Sequence, residues 1–85
     1  MESIEATIKV FIAENILFSE NGYPYDDGTS FLDNGIIDSM SVMDLVLFSE
    51  KEFGVKIGDP EITPENFDSV ENLSNFIRTK QSEDK

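Results

Sequence analysis

The chain has 85 residues, 39% of them hydrophobic with seven Phe, and carries 18 Asp plus Glu against 6 Lys plus Arg, a formal net charge of −12. A chain this short supports one modest core and no deep catalytic cleft, and its acidity repels nucleic acid and anionic lipid. It contains neither Cys nor His, which removes disulfides, thiolate metal sites, a cysteine nucleophile and the usual general base.

These exclusions favour a carrier, binding or regulatory module over an enzyme, read as a single domain over residues 1–85 with no catalytic residue and no metal site. The acidity steers the chain toward basic surfaces on partner proteins, and it also serves solubility. No stretch approaches the length of a membrane span. The acidic start Met1-Glu2-Ser3-Ile4-Glu5 is unlike a secretory signal, so a cytoplasmic monomer is expected.

In chain order, Ile4, Ile8, Phe11, Ile12 and Phe18 recur at the spacing of one helical face, with Ser3 as N-cap, and predict a helix over 4–18. Between Ser19 and Asp38 the turn formers Asn21-Gly22, Pro24, Asp26-Asp27-Gly28 and Asn34-Gly35 predict a long loop. Such loops are uncommon in compact domains and are often functional; Phe31, Leu32, Ile36 and Ile37 are the residues expected to pin this one to the core. A second helix is predicted from about Ser39 to Gly54, where glycine supplies the left-handed C-terminal conformation. Thr63-Pro64-Glu65-Asn66-Phe67 predicts a short helical turn capped by threonine, with proline in the first position. Ser69-Val70-Glu71-Asn72-Leu73 opens a last helix with Leu73, Phe76 and Ile77 on one face, and the tail over 81–85 is expected to fray. The fold class is all-α: a small bundle of three longer helices and one short one, with a long loop between helices 1 and 2.

At about 100° of rotation per residue, Leu45, Ser49, Val42, Phe53 and Val46 fall in one arc of the second helix, the width of a core-facing stripe. Met40, Met43 and Leu47 fall on the other side of Ser39, away from that stripe. Either the loop covers them or they form an exposed apolar patch flanked by Asp44 and Glu50, the composition of a docking surface. Methionine suits such a surface because its flexible thioether adapts to differently shaped partners. Phe48 points away from the expected core and has no evident role in this pattern.

Asp38-Ser39 alone reads as a helix N-cap. The combination Gly35-Ile36-Ile37-Asp38-Ser39-Met40, a helix of about four turns and then Phe53-Gly54-Val55 resembles the acyl carrier protein family, in which Asp-Ser-Leu or a close variant carries 4'-phosphopantetheine on the serine. The resemblance spans most of the chain. It implies that Ser39 is the attachment site and that Asp38 belongs to the recognition motif and assists metal placement when the phosphopantetheinyl transferase docks. It also implies cargo held as a thioester on the arm, loading by an acyl or aminoacyl ligase, and acyl-processing partners with basic docking surfaces that meet Met40, Met43, Asp44, Leu47 and Glu50. A helix start would offer the phosphodiester unpaired N–H groups and a positive dipole end.

Three features depart from the common pattern. Met40 stands where leucine is usual, Ile37 stands where many fatty-acid carriers have a small residue, and Tyr23-Pro24-Tyr25 decorates the loop. The motif looks closer to free-standing carriers loaded by adenylating ligases, such as D-alanyl carriers, than to the fatty-acid carrier. An aminoacyl or peptidyl carrier and an unmodified acidic adaptor therefore stand beside the acyl carrier. The acidic run Asp26-Asp27-Gly28-Thr29-Ser30 with Asp33 lacks the alternating ligands and terminal glutamate of a calcium-binding helix–loop–helix, and reads as a solvated loop.

A net charge of −12 makes self-repulsion a destabilising force that salt screens. The melting temperature is expected to rise from low to moderate salt; a flat or falling dependence would show that the charges are compensated locally.

Overall fold

The computed structural model describes residues 3–38 and 40–83. Helix α1 spans Ile4–Asn15, opened by Ser3, whose Oγ accepts the Ala6 N–H at 3.1 Å. Ile8, Ile12 and Ala13 are buried along it. The helix ends three residues before Phe18, contrary to the periodic reading. The chain turns back over its own last turn: Leu17 N donates to the Ile12 carbonyl and Ser19 N to that of Ala13. Phe18 sits in this turn with φ of 51° and is 79% exposed, so it forms no part of the core face. The closure supplies donors to the helix's terminal carbonyls, the role more often given to a C-terminal glycine.

Helix α2 spans Ser41–Phe53 and buries Leu45, Val46 and Ser49, with Val42 and Phe53 half-buried beside them. The inward stripe is the one the helical wheel gives. Gly54 ends the helix with φ of 67° and donates its N–H to the Glu50 carbonyl. Phe48 stacks on Phe11 of α1 with ring centroids 4.1 Å apart, and meets Phe53 edge-on at 6.0 Å. It is therefore the aromatic link between α1 and α2, beside the main core.

After α2, a 3-10 turn over Asp59–Glu61 leads to the short helix α3, Pro64–Phe67. Thr63 does not cap α3 with its hydroxyl as expected; its carbonyl receives the N–H groups of Asn66 and Phe67. Helix α4, Val70–Glu83, begins where Ser69 Oγ accepts the Asn72 N–H at 3.0 Å. Val70, Leu73, Ser74 and Ile77 are all fully buried, the stripe that lets α4 pack against each of the other three helices. The helix runs on through 81–83, where fraying was expected. Lys80 helps to hold this end by pairing with Glu61 at 3.1 Å. Among the described residues the architecture is all-helical, four α-helices and no strand.

The loop between α1 and α2 is folded onto the bundle. Phe31, Ile36 and Ile37 are buried as expected, whereas Leu32 is 50% exposed. Leu32 follows Phe31 in a tight turn, and only one of the two adjacent side chains can face the core. Asp27 pairs with Lys9 of α1 and accepts the Glu71 N–H through its carbonyl, which fixes the acidic run against α1 and α4.

Arg78 joins the two ends of the chain by holding both carboxylate oxygens of Glu5, at 2.5 and 2.6 Å. That hydrogen bond holds the Glu5 carboxyl below its usual range, and the Gly58 N–H and Lys80 do the same for Glu61. A carboxyl depressed in the folded state stabilises above its unfolded pKa, and the contribution is lost as pH falls through the folded value. The stability gap between wild type and Glu5→Gln, measured by urea unfolding, is expected to narrow as pH falls from about 6 to about 3. A gap that is constant or widening over this range would contradict the pairing.

Candidate functional site

The start of α2 is built by Asp38. Its Oδ1 accepts the Met40 N–H at 3.1 Å and the Ser41 N–H at 2.8 Å, and its carbonyl accepts the Val42 N–H at 3.1 Å. The Met43 N–H goes to the Met40 carbonyl. The backbone and side-chain hydrogen bonds from Ser41, with that from Met40, lower the Asp38 pKa, so the group is a carboxylate at neutral pH. This corrects the expectation of unpaired N–H groups at the helix start: Asp38 and Met40 already occupy the donors of Met40 to Met43. An anion placed there would meet the helix dipole but no free N–H among Met40 to Met43, and the Asp38 charge opposes it.

Ser39 lies outside the described residues. Its neighbours set its surroundings along the chain: Ile36 and Ile37 are buried, Asp38 is exposed, and Met40 is 82% exposed. The chain thus passes from the core to open solvent within three residues, immediately before the first turn of α2.

Beyond this point α2 presents an apolar outer face. Met43 is 47% and Leu47 61% exposed, and Asp44 is exposed between them. Leu47 and Asp44 line a shallow groove of about 480 Å³ between α1 and α2, together with Phe11 and Phe48. Met40, Met43, Asp44 and Leu47 therefore stand free on the outer side of α2. Glu50 differs: it is half-buried, and its Oε2 accepts the Ile57 N–H at 2.9 Å, which ties down the chain after α2. On the opposite side of α2, Val42 shares a recess of about 210 Å³ with Phe31, Leu32, Ile62 and Phe67.

Comparison with known proteins gives this arrangement a context. No protein-family model matches the chain. Aminoacyl carrier protein 1 of Bradyrhizobium diazoefficiens is 48% identical over 42 residues, which cover 49% of this chain and 47% of that protein. Over that half of its length the chain resembles an aminoacyl carrier protein. The matched region spans about half the length of that carrier relative. A crystal structure described as that of an FAD-dependent dehydrogenase contains a chain that superposes with a TM-score of 0.68 at 34% identity, over 81% of this chain and 96% of that one. The near-complete coverage makes the matched chain a domain of about this size, sharing the helical fold found here.

Two features of the candidate site had no local signal in the sequence. Asp68 anchors the loop from 36 to 38 residues away, and the aromatic link through Phe48 becomes visible only when α1 is laid against α2.

The two faces of α2 separate in mutagenesis. Leu45 is fully buried, and Leu45→Ala is expected to cost about 2 to 5 kcal/mol in urea unfolding. Met43→Ala and Leu47→Ala are expected to change stability by no more than about 0.5 kcal/mol. Outer-face variants as destabilising as Leu45→Ala would place that face in the core.

Proposed function

We propose that this chain is a carrier whose Ser39 hydroxyl receives 4'-phosphopantetheine from coenzyme A and whose arm holds a carboxylic cargo as a thioester for partner enzymes. The observation that carries the reading is the passage from buried Ile37 to exposed Asp38 and Met40 around Ser39, at the head of a helix with an exposed apolar face. A covalent arm fits these surroundings, because its attachment needs open solvent around the hydroxyl rather than a binding cradle. The arm would supply the thiol that a chain without Cys lacks.

The remaining roles belong to the chain itself. Asp38 fixes the first turn of α2 through its hydrogen bonds to Met40 and Ser41 and is the neighbour of the acceptor serine in sequence. Met40, Met43, Asp44 and Leu47 form the surface that the phosphopantetheinyl transferase, the loading ligase and cargo-processing enzymes contact, with the acidic field guiding their basic surfaces onto it. Glu50 contributes less, since its carboxylate is committed to Ile57. The chain performs no catalysis of its own in this scheme and works in the cytoplasm.

Two cargo classes have separate support. The likeness to aminoacyl carrier protein 1 favours an amino acid loaded by an adenylating ligase. The apolar recess beside Val42 favours an acyl chain. A ligase-loading assay with amino acids and fatty acids in parallel distinguishes them.

Ser39→Ala is expected to remain folded, because the Asp38 hydrogen bonds to Met40 and Ser41 that cap α2 do not use the serine side chain. Incubated with coenzyme A and a broad-specificity transferase, wild type is expected to gain one arm by intact mass and Ser39→Ala none. A Ser39→Ala protein that gains the arm would reject the assignment, and a wild type that gains none would favour an unmodified adaptor.

A further inference from the structure

We infer that Asp68, at the junction of α3 and α4, is a positioning residue for the modification of Ser39; the inference rests on the carrier reading above. Asp68 is distant from the motif in sequence, and nothing in the local pattern around it marks a role. In the folded chain it holds the segment that leads into the motif through three hydrogen bonds. Its Oδ2 accepts the Ser30 hydroxyl at 2.6 Å, its Oδ1 accepts the Leu32 N–H at 2.9 Å, and its carbonyl accepts the Phe31 N–H at 2.6 Å.

The clamped segment is itself a closed unit. Ser30 Oγ accepts the Asp33 N–H at 3.1 Å, the Ser30 carbonyl accepts both the side-chain and the backbone N–H of Asn34, and the Phe31 carbonyl accepts the Ile36 N–H at 2.9 Å. Gly35 makes the reversal with φ of 63°. Ile36 and Ile37 then enter the core, and Asp38 turns out to cap α2. Rigid links therefore run from Asp68 to Ser30–Leu32, to Ile36 and Ile37, and so to the residue before Ser39. Val42, in the first turn of α2, lines the same recess as Phe31, Leu32 and Asp68.

For a hydroxyl that must be offered to another protein's active site, position decides the rate: a displacement of about 1 Å can cost about a hundredfold. Releasing the clamp frees the approach to Ser39 while leaving the outer face of α2, where the transferase docks, unchanged. The defect belongs in kcat. A variant that is merely less stable behaves differently, because a reduced competent fraction raises the apparent KM and leaves kcat at saturation intact.

The test is steady-state transfer of phosphopantetheine from coenzyme A to the full chain, well below its melting temperature, for wild type, Asp68→Ala, Asp68→Asn and Ser30→Ala. Asp68→Ala is expected to lose about ten- to a hundredfold in kcat at an unchanged KM. Asp68→Asn is expected to recover most of this, since its amide oxygen can accept the Leu32 N–H and its NH2 can donate to Ser30 Oγ. Ser30→Ala, which keeps the two backbone contacts to Asp68, is expected to lose about three- to tenfold, and it carries the test should Asp68→Ala fail to fold. A folded Asp68→Ala with wild-type kcat, or with only a raised KM, overturns the inference, as does wild-type kcat in Ser30→Ala. A wild type that accepts no arm overturns the carrier reading and this inference with it; a modified wild type with unimpaired variants overturns this inference alone.

Discussion

The site depends on one constraint: among the described residues the stretch 16–38 contains no helix, yet Asp38 at its end must stand where it caps α2. Conformational entropy opposes ordering that much backbone. Local ties oppose it in turn. Phe31, Ile36 and Ile37 are buried, and Asp68 takes three hydrogen bonds from residues 30–32. Lys9 and the Glu71 N–H hold the loop again at Asp27. Without these ties the start of α2 would have no fixed approach.

That arrangement gives α2 two jobs. Its inner stripe, Leu45, Val46 and Ser49, belongs to the bundle core, and its outer face keeps Met40, Met43 and Leu47 in solvent. Segregation by face lets a partner contact the outer side without disturbing the packing of α4. The same helix is closed off chemically at its start, since Asp38 and Met40 satisfy the first-turn donors. Anything attached beside Asp38 is therefore held by its covalent bond, not by an anion pocket.

The sequence made the helices legible wherever burial is periodic: the stripes of α2 and α4 and the caps at Ser3 and Gly54 follow from spacing and residue type. It was less informative where tertiary contacts decide. The end of α1 was placed too late because Phe18 fits the helical period, yet the chain closes with Phe18 in a left-handed conformation and exposed. Leu32 looked equivalent to Phe31, but the turn buries one and exposes the other. Glu50 looked like part of an acidic rim until its bond to Ile57 appeared. The motif itself was legible from residue order, whereas its anchoring by Asp68 links residues 36 and 38 positions apart and leaves no trace in local pattern.

If Ser39 carries the proposed arm, the chain leading to it is preformed in the free protein. Amide hydrogen exchange of wild type, resolved by residue, tests it at Phe31 and Ile36, whose N–H groups go to the carbonyls of Asp68 and Phe31. Both amides are expected to exchange at least about a hundredfold more slowly than in an unstructured chain, an opening cost of about 2.7 kcal/mol or more. Exchange at unstructured rates for these two amides, beside a protected Leu73 in α4, would contradict a preformed site.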